Sequence, residues 1–207
     1  FLSETPDGRV SLFHKSFSDW LWTDEADVYR CDPDEGRELA LGACIASFRD
    51  DAGGMSRFEA TNLLPLLRES GEAHADDLRE ALGSEGLAER LVELSGDGRL
   101  SERIRCRKEA VEIYRSLDKK ESGAWLPNVA LSCNDLARLL METGRYGEAE
   151  GLLSEALGTF RSLAESDPRA HRPNVAMSCG NLASLLAEIG RLGEAATPSR
   201  EARATYP

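Results

Sequence analysis

From about residue 34 onward, apolar side chains return every three or four residues, the period of helices with one buried face. The spacing predicts a helix over 34–51, with Leu39, Leu41, Cys44, Ile45 and Phe48 on its apolar side. Another covers about 56–70, burying Phe58, Ala60, Leu63, Leu64 and Leu67 and bent by Pro65. Two shorter helices follow near 74–83 and 85–95, with Leu78, Leu82, Leu87, Leu91 and Leu94 inward. Longer ones are predicted near 99–118, 128–143 and 146–165. The helix over 128–143 turns Val129, Leu136, Leu139 and Leu140 inward, and the one over 146–165 buries Ala149, Leu152, Leu153, Ala156 and Phe160. Gly144 stops the first of these two, because glycine takes the left-handed conformation past a helix end without a Cβ clash. Asp167-Pro168 and Arg172-Pro173 are expected to break the chain before the next helix. Only the first stretch changes period. In ETPDGRVSLF (4–13), Pro6-Asp7-Gly8 signals a turn and Val10, Leu12 and Phe13 a short strand. Phe17, Trp20 and Leu21 then mark an amphipathic helix, and residues 23–33 a polar loop.

The helical pattern repeats itself. PNVALSCNDLARLLMETG (127–144) returns as PNVAMSCGNLASLLAEIG (173–190), an offset of 46 residues. Pro127 answers Pro173, Cys133 answers Cys179, and Gly144 answers Gly190. One step earlier, Gly98 opens GRLSERIRCRKEAVEIY, in which Ala110 and Tyr114 stand at the places of Ala156 and Phe160. A fixed period of this size marks stacked helical hairpins, each unable to bury its apolar face alone. Small residues (Ala137, Ala149, Ala156) sit where helices approach, and Leu140, Leu153 and Phe160 fill the space between.

These residues resemble the tetratricopeptide repeat. Leu136 and Ala137, Leu140 at the usual tyrosine place, Gly144, and the alanines Ala149 and Ala156 fit its pattern, as do Leu182, Ala183, Leu186, Gly190, Ala195 and Ala202. Pro198 and Ser199 depart from it, and Pro198 is expected to kink or fray the last helix. In the first copy Arg103 stands where the small alanine belongs. The long unit with its PNVA opening is similar to repeat arrays of large actinobacterial regulatory proteins. The resemblance implies a right-handed superhelix with the first helix of each unit along a concave wall. The inward positions it implies are Leu131, Asn134, Asp135, Arg138, Met141 and Glu142, then Met177, Asn181, Ser184 and Glu188. Such asparagines and arginines can hydrogen-bond an extended peptide; they can equally cap or link helices.

A second resemblance lies in LFHKSFSDWL (12–21). His14, Ser16, Phe17, Asp19 and Trp20 stand as at the end of the winged-helix domain in STAND-type NTPases of the NACHT class. The resemblance implies that His14 reaches bound ADP and holds a closed state, an imidazole being able to donate to a phosphate oxygen. The other reading of His14 is a residue at a strand-to-helix boundary. No GxxxxGK[ST] loop occurs in the chain, so it is expected to hold no cofactor of its own, ADP or ATP belonging to a full-length protein.

Composition narrows the partners. Of the net charge of −12, all falls on residues 1–95, which hold 9 Lys/Arg against 21 Asp/Glu; residues 96–207 hold 16 of each. That acidic half argues against nucleic acid as a general partner. No apolar run approaches the ~18–20 residues that span a membrane. The five cysteines are odd in number and lack CxxC spacing, so they read as small reduced packing residues in a cytoplasmic protein, not as metal ligands. His14, His74 and His171 lie far apart, and no catalytic motif is present. Asp50-Asp51 and Asp76-Asp77 fall in loops or helix starts. The run Arg99, Arg103, Arg105, Arg107, Lys108 is either a solvated face, docked on the acidic half, or a site for an acidic partner.

The expected fold is therefore all-α: a winged-helix remnant with a β-hairpin (1–24), a helical connector (25–95), and tetratricopeptide repeats (96–207). The repeats divide into a degenerate copy (98–126), a full one (127–172) and a truncated one (173–207). Phe1 in place of Met and an end inside a repeat lead us to expect a fragment. The expected function is non-enzymatic: the sensor module of a STAND-type NTPase, binding a protein or peptide, with self-association open. The alternatives are an independent scaffold, or the recruiting arm of an enzyme whose catalytic domain lies outside the chain.

Overall fold

The computed structural model describes residues 2–4, 10–12 and 33–205, with side chains over 36–204. It divides into two compact units, residues 1–44 and 45–207. In the first, strands β1 (Leu2–Glu4) and β2 (Val10–Leu12) pair antiparallel, with Leu2 opposite Leu12 and Glu4 opposite Val10. His14 and the helix expected over 14–21 lie outside the described residues.

Helix α1 (Pro33–Asp51) runs from the first unit into the second. Its buried stripe is Leu41, Cys44 and Ile45. Leu39, expected to join them, is 76% exposed, because it sits about 160° round the helix from Leu41. Phe58 on α2 (Arg57–Glu69) is corrected for the same reason: it is 61% exposed, nearly opposite the stripe of Ala60, Leu63, Leu64 and Leu67. Ser56 caps α2 in a reciprocal box with Glu59, whose carboxylate also accepts from Ser47 on α1. A 3₁₀ turn (Gly71–His74) and α3 (Ala75–Ala81) follow, with Asp76 and Asp77 in the first turn of α3.

The remaining helices pair as hairpins: α4 (Glu85–Leu94) with α5 (Leu100–Lys120), α6 (Leu126–Met141) with α7 (Tyr146–Ser166), and α8 (Pro168–Glu188) with α9 (Leu192–Thr205). The first hairpin thus takes its first helix from the stretch assigned to the connector. Gly98, Gly144 and Gly190, one period apart, turn each pair with φ of +93°, +72° and +81°. Ala137, Ala149, Ala156, Leu153 and Phe160 are fully buried between the helices. An aromatic stack at the exit of the first two hairpins repeats too. Tyr114 lies on Trp125 with centroids 5.9 Å apart, and Phe160 on His171 at 6.5 Å, one period later.

The chain breaks at Asp167-Pro168 as expected, but the expectations for Pro173 and Pro198 are corrected. Asp167 accepts hydrogen bonds from the Arg169 and Ala170 amides, which starts α8 at Pro168, and the helix continues through Pro173. Pro198 is buried within a continuous α9. The Ser199 hydroxyl folds back onto the Ala195 carbonyl, 2.7 Å away.

The second helices are tied in series. Glu109, Glu155 and Glu201 stand one period apart, and each is gripped by an arginine of the preceding layer. Arg68 on α2 reaches both oxygens of Glu109 at 2.9 and 2.7 Å. Arg115 on α5 reaches Glu155 at 2.8 and 2.7 Å, and Arg161 on α7 grips Glu201 on α9. Cys133 lies under the Arg115 clasp, 3.9 Å from its guanidinium, and Arg161 likewise interacts with Cys179.

Candidate functional site

The first helices carry the other surface. Leu131 on α6 is 41% exposed, and Met177, its counterpart on α8, is 39% exposed. Both are large apolar residues in water, at one place in the repeat frame. From each, a row of predicted positions runs along its helix at one-turn steps: Asp135, Arg138 and Glu142 on α6, and Asn181, Ser184 and Glu188 on α8. Arg138, Glu142, Ser184 and Glu188 are exposed, while Asp135, Met141 and Asn181 are half-buried. The structure therefore brings these predicted residues onto neighbouring helices.

Asn134 behaves differently and is corrected as a contact residue. It is 1% exposed and sits in the seam between α6 and α8. Its amide donates to the Ser178 hydroxyl at 2.8 Å, and its carbonyl oxygen accepts from Asn181 at 3.3 Å. A buried amide needs such partners, and Ser178 is small enough to let it in. Asn134 thus sets the register of the wall from behind. Ser184 spends its hydroxyl on the Gly180 carbonyl at 2.9 Å, and Glu188 accepts from the Tyr146 hydroxyl at 3.1 Å.

Sequence reasoning missed Ser178, and it read Arg103 and Arg107 as part of a basic run without placing them beside α6. Arg107 Nη2 lies 3.5 Å from Asp135, Arg138 Nη1 3.8 Å from the same carboxylate, and Arg103 Nη1 4.0 Å from Glu142. Arg103 also donates to the Ser95 carbonyl at 3.0 Å. Lys108 lies 3.8 Å from Glu148. These cations therefore face acids of the second half of the chain, not the acidic first half. Burial lowers the Arg107 guanidinium below the ordinary arginine value, and Asp135 opposes that shift. The missed signal was positional: arginine stands at two places where other units carry Ala149 and Leu153.

On the opposite side a groove of about 550 Å³ opens between α5 and α7, with Val111, Leu136, Leu140 and the half-buried Leu152 on its floor and Arg115 and Glu155 at its rim. Leu152 was expected in the core; it lines this opening instead. Among the described residues, no cluster of three or more His, Cys, Asp or Glu could hold a metal ion, and no helix is long and apolar enough to cross a membrane. His74 is tied to Asp77 at 2.8 Å.

Hairpin packing, a 46-residue spacing and glycine turns left the type of helical repeat to be decided. Residues 129–169 match the tetratricopeptide repeat. That match takes in α6 from Val129, the whole of α7, and the first residues of α8. A tetratricopeptide repeat points to a protein–protein interaction module and to protein partners; such repeats are typically non-catalytic. No curated protein matches the chain.

Proposed function

We propose that the chain is a non-enzymatic interaction module that holds an extended segment of a partner protein on the wall of α6 and α8. One observation carries this reading: Leu131 and Met177 are exposed at equivalent places, each heading a row of unburied polar side chains. Apolar anchors set among hydrogen-bonding groups are what an extended segment needs for affinity and register. The packing of neighbouring hairpins supports the same side. The first helices α6 and α8 touch, whereas α5 and α7 are bridged over a groove by long side chains.

Selection from a random library of short peptides on the immobilised chain tests this. Binders are expected, and Leu131→Asp with Met177→Asp should weaken them about tenfold or more. Because both sites are on the surface, stability should stay within about 0.5 kcal/mol. No binder, or binders indifferent to the double substitution, would contradict the reading.

In its fuller form the proposal makes this module the sensor part of a STAND-type NTPase, with His14 holding ADP in the closed state. LFHKSFSDWL and its resemblance to that class support it. The test is the encoding gene: an in-frame GxxxxGK[ST] segment upstream is expected, and an in-frame stop there removes His14 from the mechanism.

A further inference from the structure

We infer that the seam between α5 and α6 receives a carboxylate from an acidic segment of the partner protein, with Arg107 and Arg138 as donors and Arg103 beside them. This rests on the reading of the first-helix wall as the partner surface, and adds to it the chemistry of what is bound. Three separate observations point there.

The repeat frame gives the first. Arg103 stands where the other units bury Ala149 and Ala195, 0% and 6% exposed, and Arg107 where the full unit buries Leu153, 0% exposed, and the last unit carries the half-buried Ser199. A leucine at 107 would complete the hairpin core; a guanidinium there is removed from water at a cost. Such a departure from the pattern works against the packing of the hairpin.

Second, Arg107 is only 9% exposed, and its Nε has no hydrogen-bond partner. Buried donors are nearly always paired, and this one, on a charged group, is not. Third, the charges around it are loosely met. Its contact to Asp135 is 3.5 Å, and those of Arg138 and Arg103 are 3.8 and 4.0 Å. The ladder arginines of this molecule close to 2.7–2.9 Å. Three arginines face two carboxylates, Asp135 and Glu142.

A carboxylate arriving side-on accepts from Nε and Nη2 of one guanidinium in parallel. Nη2 is the atom that now faces Asp135, and Nε is the atom without a partner. The Asp135 side chain is 44% exposed and free to swing into water as the ligand enters. Asp135 thereby acts as an internal stand-in for the partner's acid. Leu131, one turn away, supplies an apolar contact next to it, so the segment pairs an acidic residue with an apolar neighbour.

The peptide selection described above separates this inference from the reading beneath it. Binders should be rich in Asp and Glu, and replacing those residues by Asn and Gln in a selected peptide should weaken binding about tenfold or more. Arg107→Leu should weaken the same peptide comparably while melting no lower than the parent, since the full unit buries Leu153 at that place. Arg138→Gln, on an exposed side chain, repeats the test without touching the core. Asp135→Asn should tighten the acidic peptide about threefold by removing the competing charge. Binders with no acidic enrichment, or acidic binders indifferent to Arg107→Leu and Arg138→Gln, overturn the carboxylate site and leave the wall standing. Absence of any binder overturns both.

Discussion

Arginines line two sides of this repeat stack and meet acids in two different ways. On the second helices, Arg68, Arg115 and Arg161 grip Glu109, Glu155 and Glu201; the Arg68 and Arg115 bonds measure 2.7–2.9 Å. On the seam between α5 and α6, Arg103, Arg107 and Arg138 stand 3.5–4.0 Å from their nearest acids. The ladder keeps step with the repeat: Arg115 and Arg161 are one period apart, as are the three glutamates. The seam does not; Arg103 has alanines as counterparts, and Arg107 has Leu153 and Ser199. What recurs with the period serves the stack, and what breaks the period while staying underpaired is left for a partner.

The largest effect on this contrast comes from the residue that holds the wall in register. Asn134→Ala removes the partner of Ser178 and Asn181 inside a buried seam and should cost about 1–3 kcal/mol in urea unfolding. It should also weaken any wall-bound peptide, although Asn134 itself is covered. Smaller is the effect of loosening the ladder. Arg115→Gln breaks a clasp that is half in water, and should shift stability by about 1 kcal/mol or less while leaving peptide affinity unchanged. A fall in affinity there would blur the two sides into one.

The smallest effect appears only in alkali. Burial pushes the thiols of Cys133 and Cys179 up to about 11 from 9.0. Once unfolded, they ionise above 9.0 while the folded ones stay protonated, so the stability each contributes is complete below that pH and is lost as pH climbs to about 11. The melting temperature should fall over that window, and less steeply in Cys133→Ala with Cys179→Ala. An unchanged slope would mean the thiols are not buried beneath the arginine clasps.

Much of the architecture was legible in one sequence because the sequence states it twice. Gly144 and Gly190, the buried alanines and the exposed pair Leu131 and Met177 all follow from aligning 127–144 with 173–190. Local rules failed where tertiary packing outweighed them. Pro173 and Pro198 each remove one helix amide, but capping by Asp167 and packing against the neighbouring hairpin carry α8 and α9 through. The first hairpin was half hidden because α4 carries Leu87 and Arg90 at the places of Cys133 and Leu136, so its match to the period is structural only. Asn134 looked like a contact residue because its helix position borders the wall. Only the helix packing shows Ser178 making room for it. Arg107 was visible as a charge but not as a buried one, since burial depends on what α6 places over it.

The most direct test of the division between brace and binding wall is hydrogen–deuterium exchange of the chain with and without a selected peptide. Protection should appear in α6 and α8, centred on the turns that carry Leu131, Asp135 and Met177, with α7 and the ladder residues of α5 unchanged. Protection confined to α5 and α7, around the groove between Arg115 and Glu155, would place the ligand on the second helices and contradict it.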